Sequence, residues 1–346
     1  MIRPFDLRDV GLVARMQRQG TPLDLEARLT RSRSPLSAAL IARGLGFGSG
    51  VSTCIIDHKE DSAHWLALAQ MQQLPGRPDY VITFIAPALT AGSGVHAIWQ
   101  RVLAHLCVVA GERGGQRLYA GLPPDGEEYQ IFRHTGFTAY AQEEVYHWAP
   151  TAPQPAVEPL SLRRQQERDS WRLQQLYATI TPRVVQNAEG SAQGEWELSQ
   201  RLWLAGSRRQ GFVWESHGDI AAALQIRSGP HAHWLRLLLH PDLIDQADAL
   251  VTAALARARC RPNQKLYCAV RTYEAGISPA LRAFGFRAIG SQTLVVKYIA
   301  ALVRESVAQA LPALNGTVER AIRVKYQTLE CGEEGVSLDP LTRRSE

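Results

Sequence analysis

The apolar positions change period along the chain in a repeating order. Ile2 to Leu7 reads as a short strand, and Asp9 is placed to cap a helix running through Met16. Ser34-Pro35 opens a second helix, with proline at the first position, where its missing N–H costs nothing. Val51 to Asp57 is rich in β-branched residues, His58 to Ser62 is polar and Trp65 to Met71 is apolar again, which predicts a hairpin. Tyr80 to Ile85 is a continuous apolar run, suited to a strand buried on both faces. After the turn Ala91-Gly92-Ser93-Gly94, the residues Val95, Ile98, Val102, Leu106 and Val109 step at helical spacing until Gly114-Gly115. Leu118 to Ala120 is then a strand, Glu127 to His134 a short helix and Phe137 to Trp148 a last strand.

The second half runs through the same order. Pro159 to Leu162 predicts a strand, and Ser170 to Ile180 a helix that Thr181-Pro182 stops. Gly211 to Glu215 and Ile220 to Ile226 form a hairpin, followed by the buried run His233 to Leu239. Leu243 to Ala258 is helical, Leu266 to Val270 a strand, Ser278 to Phe284 a short helix and Phe286 to Tyr298 the closing strand. The repeat also reaches individual residues. Leu118-Tyr119-Ala120 returns as Leu266-Tyr267-Cys268, 148 positions later, and Arg133-His134-Thr135-Gly136-Phe137 as Arg282-Ala283-Phe284-Gly285-Phe286, 149 positions later. A two-copy period of this length means tandem domains and not a solenoid, whose repeats run ~20–50 residues. The stretch Ala149-Pro150-Thr151-Ala152-Pro153-Gln154-Pro155-Ala156 reads as an extended linker. The expected division is 1–148, a linker at 149–156, 157–300, and a C-terminal extension at 301–346 that is partly disordered.

This order of elements resembles the GNAT superfamily of acyl-CoA N-acyltransferases, over residues 1–148 and again over 157–298. The resemblance implies two tandem α/β folds, each a mixed, mainly antiparallel sheet flanked by helices. It also implies a phosphate cradle, in which a glycine turn after the buried strand aims the N–H groups of the next helix at the pyrophosphate of coenzyme A. Leu89-Thr90-Ala91-Gly92-Ser93-Gly94 keeps both glycines of the family pattern, while Leu89 stands where the family has Arg or Gln. The implied acetyl-CoA contacts are Ile85, Ala86, Gly92, Ser93, Gly94 and Val95. The second copy, His240-Pro241-Asp242-Leu243-Ile244-Asp245-Gln246-Ala247-Asp248, has no glycine and three acids, so it reads as non-binding.

Catalysis in the family needs a base for the acceptor amine and an acid, often Tyr, for the departing thiolate. The implied Tyr positions are Phe132 and Leu281, which cannot donate a proton; Tyr129, one turn earlier, is the local substitute. Glu143 and Glu144 are adjacent on a strand, so they point to opposite faces and one of them can face a cleft. His96 and His105 lie nine apart on the long helix and do not form a metal pair. Gly44 to Gly50 has G-x-G spacings but precedes a strand, the wrong context for a dinucleotide turn. Two functions follow from the resemblance. One is transfer of an acetyl group from acetyl-CoA to a small-molecule amine or peptide N-terminus through the first copy. The other is a catalytically inactive tandem protein that binds a ligand or a protein partner.

Composition changes this picture little. The chain has 346 residues with 45% apolar and 21% charged side chains, the profile of a globular protein. No apolar run approaches a membrane span and no secretory signal is visible, so a cytoplasmic protein is expected. Its five cysteines lack C-x-x-C or zinc spacing and read as reduced thiols, with no metal site. The formal charge of +5 rests on arginine, with only four lysines. The basic pairs Arg163–Arg164, Arg208–Arg209 and Arg343–Arg344 lie far apart without interleaved aromatics, so nucleic acid is not the expected partner.

Overall fold

A computed structural model describes residues 2–31, 34–45, 50–60, 63–92, 94–149, 155–190, 196, 208–258 and 264–299. Ser93, most of the proline-rich linker, Trp203, Cys260, Cys331 and the C-terminal extension lie outside these residues.

The first half runs β1 (Ile2–Pro4), α1 (Val10–Met16), β2 (Thr21–Pro22), α2 (Leu25–Thr30), α3 (Pro35–Leu45), β3 (Val51–Glu60), β4 (Ala63–Gln73), β5 (Asp79–Ala86), α4 (Val95–Glu112), β6 (Arg117–Leu122), α5 (Glu127–His134) and β7 (Thr138–Trp148). The second runs β8 (Arg163–Arg164), α6 (Ser170–Ile180), α7 (Arg183–Glu189), β9 (Arg208–Ser216), β10 (Asp219–Ser228), β11 (Ala232–Leu239), α8 (Ala247–Ala258), β12 (Lys265–Arg271), α9 (Ser278–Ala283) and β13 (Phe286–Tyr298). Each half thus gives the element order that its apolar pattern predicts, with the short pieces β2, α2 and α7 added.

The halves do not carry separate sheets. One 13-stranded sheet runs β1-β3-β4-β5-β6-β13-β7-β12-β11-β10-β9-β8, with β2 against β5. Neighbours are antiparallel except β5/β6 and β11/β12, the places where a long helix crosses over. The closing strands are exchanged. β13, from the second half, inserts between β6 and β7, pairing Val295 with Ala120. β7, from the first half, inserts between β13 and β12, pairing Tyr146 with Cys268. Each long final strand thereby covers an edge that the other half would leave unpaired.

Helices cover both faces. On one face α4 buries Trp99, Leu103 and Leu106 against Ile82, Leu118, Ala120 and Leu122. On the other, Val13 and Met16 of α1 meet Ile55, Leu68 and Phe84, with Leu36 of α3 beside them. In the second half α8 places Leu250, Val251 and Ala254 against Leu235, Leu237 and Leu239. Two short helices cross between halves. Leu25 and Leu29 of α2 pack on Trp234 and Tyr267, while Ala188 of α7 packs on Tyr119 and Val296.

Local details depart from the sequence pattern in places. Asp9 makes no side-chain cap on α1, because Asp6 accepts the Arg8 N–H of the preceding 3-10 turn and Asp9 is engaged by Arg3. Both guanidinium amines of Arg3 donate to the Asp9 carboxylate at 2.6 Å. Arg163 grips Asp169 in the same bidentate way at 2.7 and 2.8 Å, 160 positions later. The second-half opening strand lies at Arg163–Arg164, beyond the apolar run that predicts it at Pro159 to Leu162. The helix expected from Leu243 begins as a 3-10 turn over Pro241–Gln246, with Leu243 itself out of helical geometry.

Candidate functional site

The glycine turn after β5 has the backbone that its sequence requires. Gly92 has φ 136° and Gly94 φ 87°, both in the left-handed region that favours glycine. Gly94 is the N-cap of α4, no side chain caps the helix, and its first turn carries no acid. The orphan N–H groups of that turn and the helix dipole suit an anion. Val95 is buried in the core and anchors the helix start, and Trp99 donates from its indole to the Pro87 carbonyl at 2.8 Å. Opposite, Glu127 at the start of α5 lies 3.8 Å from His96 of the first helical turn.

Beside this turn β5 and β6 separate. They pair as parallel strands only at Asp79–Arg117, Tyr80–Leu118 and Val81–Tyr119, and then splay. Diverging parallel strands expose backbone groups that an extended ligand arm could pair with. Here the chain's own segment Gln19–Leu23 takes those groups. Ala88 N–H donates to the Gln19 carbonyl at 2.6 Å and Leu23 N–H to the Thr83 carbonyl at 2.9 Å. On the other side Gly121 N–H donates to the Leu23 carbonyl at 3.1 Å. Thr21 stands opposite Ile85, so the wedge-facing edge at Ile85 is already paired. Leu23 is 1% exposed and joins the α4 core. Gly20 permits this approach, since a Cβ there would lie 2.3 Å from the Phe84 ring and 2.7 Å from the Ile85 carbonyl oxygen. The anion turn fits a phosphate; the wedge does not fit the rest of a coenzyme A arm.

Among the described residues, the turn after β11 in the second half has no comparable glycine cradle. His240 Nδ1 accepts from Asp242 N–H at 3.4 Å, and the turn's Ile244 abuts Gly276. Ile277 fills the core beside Leu237 and Leu239, where β11 and β12 diverge.

Candidate catalytic groups are dispersed. Phe132 is fully buried, edge-on to Trp99 and Phe137, and Leu281 is equally buried. Tyr129 is half-buried against the same core cluster as Phe132. Glu144 faces Tyr146, whose hydroxyl donates to it, and Arg282 at 3.7 Å. Glu143 faces the other side of the sheet and lines a cavity of about 260 Å³ between the halves. Gln292, its counterpart 149 positions later, donates to it at 2.6 Å. Arg236 and Arg271 stand 3.4 and 3.8 Å from its carboxylate. Arg271 also meets Glu189 of α7 at 2.5 Å, and Arg236 meets Glu274 at 3.4 Å. Tyr119 donates to the Ala188 carbonyl at 2.8 Å, and burial pushes its phenol well above the ordinary range.

Sequence reasoning named Glu143 as one of two strand acids but had no signal for the arginines around it, because Arg236 and Arg271 come from strands of the other half. Burial raises the thiols of Cys54 to about 11 and Cys268 to about 12, which leaves them protonated and inert. Among the described residues no group of three His, Cys, Asp or Glu could hold a metal, and no helix is long and apolar enough to cross a membrane.

No family model matches the sequence, and no curated protein does. Solved structures match it by shape. A GCN5-related N-acetyltransferase from Sphaerobacter thermophilus superposes over 86% of this chain and 95% of its own, at 13% identity and a TM-score of 0.52. The fold is therefore that of the GNAT acetyltransferases. A tandem GNAT protein from the clavulanic acid biosynthesis pathway, solved without acetyl-CoA, superposes over 87% of this chain and 98% of its own, at 14% identity and a TM-score of 0.52. This chain has the tandem GNAT fold, and at these identities the likeness is one of fold.

Proposed function

We propose that this protein is a GNAT-fold binding protein in which acetyl transfer has been lost. One observation carries the reading: Gln19–Leu23 is hydrogen-bonded to both strands of the wedge beside the glycine turn. Two further facts support it. The implied acid positions are the buried Phe132 and Leu281, and the buried strand acid Glu143 sits among arginines on the face away from α4.

The alternative keeps one observation of its own. The turn at Gly92 and Gly94 retains the backbone of an anion cradle, with an uncapped helix behind it. Under that reading acetyl-CoA binds at Ile85, Ala86, Gly92, Ser93, Gly94 and Val95 once Gln19–Leu23 withdraws. Tyr129 then protonates the thiolate, and a small-molecule amine or peptide N-terminus takes the acetyl group. Calorimetric titration with acetyl-CoA, with single-turnover assays on a panel of amines and peptides, separates the two. The binding-protein reading expects no saturable acetyl-CoA heat and no acetyl transfer. Transfer that falls roughly 10²-fold in Tyr129→Phe would establish the alternative.

A further inference from the structure

We infer that the cavity between the halves binds a small zwitterion, a molecule carrying one ammonium and one carboxylate group, along the face of α2. The inference rests on the binding-protein reading and names the ligand class for it. At about 260 Å³ the cavity falls just below the ~300–1,000 Å³ of drug-sized sites, so its ligand is small. Around Glu143 the wall is closed by its own pairs, with Gln292 at 2.6 Å and with Arg236 and Arg271 at 3.4 and 3.8 Å. Along α2 two wall groups of opposite sign are less well matched.

Asp24 and Arg31 both line the cavity, and they are the N-cap and C-cap of α2. Two helical turns separate them, which puts them on one face and about 10 Å apart along the axis. Asp24 accepts the Ala27 N–H at 2.9 Å, and among the described residues its carboxyl forms no ion pair. Burial raises that carboxyl, and the charge of Arg31 opposes the rise without closing a bridge. An ammonium donor is the group such a carboxylate gains most from. Among the described residues Arg31 has one ion contact, to Glu26 at 3.9 Å, and Glu26 is already held by Arg227 at 2.5 Å. The Nε of Arg31 is buried without a hydrogen-bond partner. A charged donor left unmade in the interior is costly, and a carboxylate oxygen satisfies it. The charges of Asp24, Glu26, Arg31 and Arg227 cancel, so a ligand with net charge would disturb a balance that a zwitterion keeps. Trp234 packs on Leu25 and Leu29, between the two caps, and lines the cavity, an apolar stretch for the ligand's carbon chain.

The test uses the full chain, with thermal shift and calorimetry against glycine, γ-aminobutyrate and ε-aminocaproate, whose charges lie progressively farther apart. Butyrate and butylammonium, each with one of the two charges, and sodium chloride at matched ionic strength are the controls. At least one zwitterion should raise the melting temperature saturably, beyond the shift of any control. Asp24→Asn and Arg31→Gln should each weaken its apparent affinity at least about tenfold, the loss of a charge-assisted bond. Asparagine keeps the cap of α2, and the Arg31 side chain is 17% exposed, so ligand-free folding should survive. If one variant fails to fold, the other carries the comparison. No saturable shift by any zwitterion, an equal shift by butyrate or butylammonium, or a shift that a folded variant retains in full overturns the inference. A separate acetyl-CoA titration keeps the readings apart. Zwitterion binding together with acetyl turnover would overturn only the loss of catalysis.

Discussion

Gly20 and Leu23 show how much two side chains decide here. Leu23 lies in the α4 core, and Gly20 passes so close to β5 that any Cβ meets Phe84 and the Ile85 backbone. Gly20→Val should cost about 1–3 kcal/mol, the range of overpacked cores. The urea midpoint measures it, and an unchanged midpoint would mean that Gln19–Leu23 does not hold the wedge in solution. The repeated Arg–Asp grips give a pH signature at the same scale. The hydrogen bonds from Arg3 and Arg163 hold Asp9 and Asp169 below the usual carboxylate range. A carboxyl depressed in the folded state stabilises fully above its unfolded pKa, and that stabilisation is lost as pH falls through the folded value. Stability should therefore decline below about pH 4, near the unfolded Asp value. The double variant Asp9→Asn, Asp169→Asn should be less stable at pH 7, with a shallower decline in acid. Urea midpoints across pH 2–7 check this, and an unaltered acid limb would assign the decline to other groups.

Helix α4 illustrates what one element can do alone. Its apolar stripe, its start after Gly94 and its stop before Gly114 are all legible in the residues, because each is a local consequence of side-chain spacing or positive φ. Gly94→Val should destabilise the protein by about 1–2 kcal/mol, since a β-branched residue is strained at φ 87°. Chemical denaturation reads this, and a neutral effect would mean that the turn relaxes to an ordinary backbone. The pieces β2, α2 and α7 are different. Their sequences carry weak periodicity, and they exist because partners elsewhere complete them: β5 for β2, Trp234 and Tyr267 for α2, Tyr119 for α7.

At the scale of the molecule the exchange of β7 and β13 ties the halves together. A chain cut to residues 1–149 would expose the edges of β6 and β7 that β13 covers. That fragment should aggregate or self-associate through strand exchange, as read by light scattering, whereas the whole chain should unfold in one transition. A stable monomeric fragment would argue that the shared sheet contributes little. The same exchange builds the cavity, since Glu143 and Gln292 meet only because the two strands lie side by side.

The sequence by itself determined the two-copy element order, the core faces, the glycine turn and the want of an acid at positions 132 and 281. These follow from periods of two and 3.6 residues, from turn chemistry and from side chains that hold no proton to give. It also narrowed the strand acids to Glu143 and Glu144, whose opposite orientations follow from the pleat. The tertiary structure decided which of them meets the cavity, that Gln19–Leu23 would fill the wedge, and that arginines from separate strands would converge. Each of these depends on pairings between residues scores of positions apart, and no local period records which strand will be the neighbour.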